Sequence, residues 1–161
     1  MQTFTFNLNC HISAPPEPIF ALLIDHEAYR FFPGFLSSKL IREGTEHRDG
    51  VGARRAGWFK GTYVVEEVLK CEPPRRIEYR TIKCSIPLDH DRGVIELVPN
   101  GNGTDVSWVT SYGVAIPFIG DLIGRMTYAS VNKSIGNILK HVKREVERTQ
   151  GCLALASSNS I

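Results

Sequence analysis

The C-terminal third carries two apolar stripes that face opposite ways along a single helical pattern. After Pro117 the residues keep helical spacing to about Arg148, some thirty residues or ~45 Å at 1.5 Å per residue. At 100° per residue, Phe118, Ile119, Leu122, Ile123 and Met126 gather on one side. Tyr128, Val131, Ile135, Ile138, Leu139, Val142 and Val146 gather nearly opposite. A straight helix on one flat surface buries only one of these stripes. The pattern therefore predicts a bend or break between about Met126 and Val131, or a partner surface that wraps the helix on two sides. The N-terminal half is expected at the mouth of a cavity, and the C-terminal half over a sheet.

The rest of the chain supplies that sheet. Phe4, Phe6, Leu8, Cys10 and Ile12 alternate with polar residues, the period of a half-buried strand. Pro-rich turn chemistry then leads into Ile19–Ile24, a short buried helix, and a second short helix spans Asp25 to Phe32, stopped by Pro33-Gly34. From Ser37 to Tyr112, turn signals at Arg48-Asp49-Gly50, Lys60-Gly61, Glu72-Pro73-Pro74, Pro87 to Asp91 and Pro99 to Gly103 divide the chain into about six strands. Five glycines between Gly44 and Gly61 predict bulges and strong curvature. The order is that of a single α+β domain over residues 1–150 with a polar tail over 151–161.

Several function classes are disfavoured by composition. A formal net charge of +2, with Lys and Arg scattered, argues against a phosphate-tracking surface, so no nucleic-acid partner is expected. The first ten residues contain no Lys or Arg, unlike a leader peptide, and no run reaches the ~18 apolar residues of a membrane span. Cys10, Cys71, Cys84 and Cys152 are far apart, lack metal-ligand spacing, and read as reduced thiols of a cytoplasmic protein. Asp89-His90-Asp91 alternates in direction inside an apparent turn, so neither a metal nor another cofactor is expected.

The element order, the segment Ile12-Ser13-Ala14-Pro15-Pro16-Glu17-Pro18-Ile19-Phe20, Asp25-His26-Glu27-Ala28-Tyr29, the Gly103–Trp108 strand and the long final helix together resemble the polyketide cyclase/dehydrase-like branch of the START-like (SRPBCC) superfamily. The resemblance covers about residues 3 to 148. It implies a helix-grip fold, in which a curved antiparallel sheet of six to seven strands holds the C-terminal helix over a deep cavity for a hydrophobic molecule. Tyr29-Arg30-Phe31-Phe32-Pro33-Gly34-Phe35 is similar to the matching segment of coenzyme-Q-binding START-like proteins, which implies an isoprenoid quinone among lipids and polyketide-like aromatics as ligand. The expected assembly is a monomer or weak homodimer.

Within that frame, a two-residue turn at Lys60-Gly61 pairs Phe59 with Thr62 and sets Arg54 opposite Glu67. Arg54 and Glu67 share a face with Trp58 and Tyr63, and the aromatics mark that face as the cavity wall. The competing choice puts Arg55 and Glu66 inside. A charged pair in an apolar pocket orients a ligand carbonyl or phenol, or serves general acid/base chemistry. Arg54 and Glu67 are thus the candidate catalytic residues. Tyr29, Phe32, Phe35, Tyr79, Trp108, Tyr112, Ile123 and Met126 complete the expected lining with Trp58 and Tyr63. The leading reading is a binder of a small hydrophobic ligand. The alternative is an aromatase/cyclase-like enzyme in which Arg54, Glu67 and a tyrosine move protons; the family's tyrosine and asparagine positions fall near Leu36 and Ile135 here.

Overall fold

The structure, a computed structural model, describes residues 2–158, with the backbone alone at Asp91 and Ser158. Strand β1 (Thr3–Ile12) realises the N-terminal alternation, with Phe4, Phe6 and Ile12 buried and Thr3, Thr5 and Asn7 exposed. Helix α1 (Pro16–Ile24) starts with prolines in its first turn, where a missing N–H costs nothing, and buries Ile19, Phe20 and Leu23. The Asp25 carboxylate accepts the backbone N–H groups of Glu27 and Ala28, which sets up a 3₁₀ turn over Ala28–Phe31.

Six further strands follow: β2 (Phe35–Arg42), β3 (Arg54–Phe59), β4 (Thr62–Glu72), β5 (Arg76–Cys84), β6 (Leu88–Asn100) and β7 (Gly103–Val114). They form one antiparallel sheet of seven strands in the order β1-β7-β6-β5-β4-β3-β2. Lys60 and Gly61 take φ of +51° and +78°, the left-handed pair of a tight hairpin turn. That turn fixes the register read from sequence: Phe59 faces Thr62, Arg55 faces Glu66 and Arg54 faces Glu67. Register shifts interrupt the β2–β3, β4–β5 and β6–β7 ladders and bend the sheet. One of them lies between His90 and Gly93, so the stretch read as a turn from Pro87 to Asp91 is mostly the irregular start of β6.

Helix α2 (Gly120–Ser158) lies against β1, β7 and α1. Its Ile135, Ile138, Leu139, Val142 and Val146 join Phe6, Ile12, Ile19, Leu23, Ile95, Leu97 and Val106 in one core. Each such side chain removed from water contributes roughly 1.5–3 kcal/mol. This is the helix-grip arrangement.

Two expectations about α2 are corrected. The helix is unbroken from Gly120 to Ser158, and of its first apolar stripe Ile123 alone packs against the core. Phe118, Ile119, Leu122 and Met126 remain exposed, so no kink is required to serve two surfaces. The helix also continues past Gly151, where a polar tail was expected, and residues 151–157 stand exposed. The Cys-Leu-Ala-Leu-Ala run has good helix propensity, and one glycine costs only about 1 kcal/mol.

Candidate functional site

The concave face of the sheet contains a buried ion pair. Arg55 of β3 donates from Nε to Glu66 Oε2 of β4 at 2.5 Å, and its side chain is only 9% exposed. The guanidinium lies over the Tyr29 ring, 4.2 Å from its centroid, with the Tyr79 ring 5.4 Å away. Tyr29 donates its hydroxyl to the Leu23 carbonyl at 2.8 Å, which ties the 3₁₀ turn to α1. Tyr79 accepts from Trp108 Nε1 at 2.9 Å. The pair and both tyrosines line an enclosed cavity of about 10 Å³ together with His26, Val68, Ile77 and Ile95. That volume holds about one water.

Burial alone would push the Arg55 proton off, but Glu66 and the Tyr29 hydroxyl outweigh it and hold the guanidinium above the ordinary arginine range. Burial raises the Tyr29 and Tyr79 hydroxyls above the usual phenol value. Both tyrosines are therefore hydrogen-bond donors at neutral pH and not bases. His26 is pushed down to about 2, chiefly by burial and then by Arg55 and Arg48, so its imidazole is neutral. Its Nδ1 is buried and lacks a hydrogen-bond partner, with the Asp49 carboxylate 3.5 Å away.

A second polar group closes the seam between β5 and β6. Among the described residues the ladder of these strands runs from Arg76–Glu96 to Tyr79–Gly93. Just beyond it the Thr81 backbone N–H donates to His90 Nδ1 at 3.0 Å, and His90 Nε2 lies 2.8 Å from Thr110 Oγ1. An accepting Nδ1 places the ring proton of neutral His90 on Nε2, so Nε2 donates to Thr110. The imidazole stacks on Tyr79, whose ring fills the space left by a missing side chain: a Cβ on Gly93 would come within 2.3 Å of it.

The expected lining residues divide into two groups. Tyr29, Phe32, Tyr79, Trp108 and Tyr112 are buried in the core, with Phe35 and Ile123 packed against it. Trp58, Tyr63, Arg54, Glu67 and Met126 do not meet there. Trp58 is exposed and packs beside Tyr63 near the hairpin tip. Glu67 reaches the cavity wall, but its carboxylate bonds to Arg54 and Arg80, both on the outer face. Those two arginines, Arg80 first, hold the Glu67 carboxyl below the usual carboxylate range, which removes it as a general acid at neutral pH. The pairing register was right and the face was inverted. Arg55 and Glu66, the competing pair, are the ones that face inward, and His26 and His90 were not among the expected residues. The available signal was that Phe59, Gly57 and Arg55 alternate together, with Phe59 packing at a tilt against Phe35 of the core side. Replacing Arg54 with Met and Glu67 with Leu should change stability by no more than about 1 kcal/mol, as measured by urea midpoints, because both arginine partners of Glu67 reach solvent.

With this geometry established, comparison with known proteins fixes the kinship. The family model described as polyketide cyclase / dehydrase and lipid transport matches residues 3–147. The chain belongs to that family. No curated protein matches it in sequence. Among solved structures, the polyketide cyclase / dehydrase and lipid transport chain is similar to a START superfamily protein of Mycobacterium smegmatis, with a TM-score of 0.73 at 15% identity, covering 90% of this chain and 98% of that one. A protein from Thermus thermophilus gives 0.72 at 21% identity over 91% and 99%. A point mutant of norcoclaurine synthase from Thalictrum flavum, in complex with a transition-state analogue, gives 0.68 at 13% identity over 92% and 97%. At these identities the likeness is one of fold. Membership agrees with the hydrophobic-ligand class read from sequence. Among the described residues no helix is long and apolar enough to cross a membrane, and no group of three metal-ligating side chains converges.

Proposed function

We propose that this protein binds a small hydrophobic molecule whose neutral polar head, a carbonyl or phenol, sits against Arg55 and Glu66. The observation that carries this reading is the buried pair itself. A desolvated ion pair is a poor source of stability, since apolar residues of similar volume are often neutral or better. Here it is surrounded by Tyr29, Tyr79 and Trp108 and borders the interior cavity. The Arg55 charge is already balanced by Glu66, so a carboxylate head would bring an uncompensated negative charge. An isoprenoid quinone or a polyketide-like aromatic fits this requirement better than a fatty acid. The deep cavity expected from the sequence is replaced by one of about 10 Å³, far below the few hundred cubic ångströms typical of a ligand pocket, so the ligand must displace core side chains as it enters. Cyclase-type proton transfer loses its expected Arg54–Glu67 pair to the outer face. It would fall to Arg55, Glu66 and tyrosines that are held protonated.

The test uses the second tryptophan. A Trp58→Phe variant leaves Trp108 as the only indole, buried against Tyr79. Titration with a short-chain ubiquinone analogue should quench it saturably, whereas decanoate should not. Combining Arg55→Met with Glu66→Leu should weaken quinone binding about tenfold or more, the scale of a charge-assisted hydrogen bond. Equal binding by the double variant would overturn the proposal.

A further inference from the structure

The exposed side of α2 and the loop before it gather apolar side chains into one surface. Phe118, Ile119, Leu122 and Met126 are 107%, 51%, 60% and 74% exposed, an apolar ridge with no neighbour. Phe118 holds its ring out from a backbone at φ +67°. An aromatic residue rarely adopts that region, and the left-handed conformation costs roughly 1–2 kcal/mol. Beside the ridge lies an open groove of about 310 Å³ lined from Val114 to Asp121.

Further along the helix the same side becomes cationic. Leu122, Met126, Lys133, Lys140 and Arg144 fall within about 40° of one another at 100° per residue. Ile135, Ile138 and Val142 point the opposite way, into the core. Lys133, Lys140 and Arg144 are all exposed. The acids nearby are each bonded in turn: Asp121 accepts the Gln2 backbone N–H at 2.6 Å, Glu145 lies 3.7 Å from Arg144 and 3.0 Å from Arg148, and Glu147 is bonded to the Ser13 N–H and Lys143.

We propose that this side of α2 docks the protein on an anionic lipid surface, with the ridge inserted among the acyl chains and the three cations over the headgroups. Apolar side chains followed by a basic row on one exposed helix side meet both demands of a charged bilayer surface, burial and charge. A second copy of this chain fits less well. Four ridge residues fall far short of the 20–30 residues per side of a stable protein interface, and the cationic row would face itself. Docking does not depend on the ligand reading, because it involves none of the cavity residues.

The experiment is co-sedimentation with phosphatidylcholine vesicles, with and without phosphatidylglycerol. The protein should partition to the anionic vesicles and be released by salt. Phe118→Ser combined with Leu122→Ser and Met126→Ser should cut partitioning about tenfold or more, with an unchanged circular dichroism spectrum. Charge reversal by Lys133→Glu, Lys140→Glu and Arg144→Glu should cause a similar loss while keeping the ridge, and it removes no apolar side chain. Absence of vesicle binding, or equal binding by both variants, overturns the proposal. So does a concentration-dependent dimer that the ridge variant abolishes, since the ridge would then serve a second copy. Retained quinone titration by both variants separates this outcome from the ligand reading.

Discussion

Replacing Glu66 with Leu should destabilise the protein by about 3–5 kcal/mol, the cost of leaving a buried charge without its partner. Arg55 is enclosed by Tyr29, Tyr79 and the sheet and is held in its charged form, so it can neither reach water nor shed its proton. The reverse change, Arg55→Met alone, leaves a Glu66 side chain that is 21% exposed and so in contact with water, so its effect should be smaller. Arg55→Met with Glu66→Leu should recover most of the loss. Urea midpoints for the four proteins complete a double-mutant cycle, and additive losses would show that the two side chains do not interact.

Acidification should be the second large effect, and His26 sets its window. In the unfolded chain this imidazole takes a proton near 6.5, whereas in the fold it stays neutral to about 2. Between those values the unfolded state binds the extra proton. Stability is therefore fully present above about pH 6.5 and falls as pH drops, by about 1.4 kcal/mol per unit. The loss by pH 5 is about 2 kcal/mol. Glu67 and Glu147, whose carboxyls are held low by arginine partners and by the Ser13 N–H respectively, add to the loss only as pH falls through the ordinary carboxylate range. Urea midpoints at pH 7, 6 and 5 for the protein and a His26→Gln variant separate the terms. A variant with the same slope between pH 7 and 5 would show that another group is responsible.

The fold could be read from sequence because its signals are local and repeated. The alternation of β1, the Lys60-Gly61 turn and the helical spacing after Pro117 each reflect a backbone geometry that a few residues determine. The site was harder. Arg54-Arg55 opposite Glu66-Glu67 puts one arginine and one glutamate on each face, so charge could not choose the inner one. Trp58 and Tyr63 suggested the wrong face because they lie by the hairpin tip, where large aromatics remain exposed to water. His26 and His90 have no local pattern: Asp49 approaches His26 from a loop more than twenty residues away, and His90 meets Thr81 and Thr110 across three strands.

The imidazole at the β5–β6 seam bears on how so closed an interior could open. Where strands share a full ladder, parting them breaks several backbone hydrogen bonds at once. Among the described residues the pairing of β5 with β6 runs from Arg76 to Tyr79, and beyond it the His90 ring bridges the strands. Parting β5 from β6 at that end costs at least the Thr81–His90 hydrogen bond. The Thr81 amide should then exchange with solvent sooner than those of Ile77 and Tyr79.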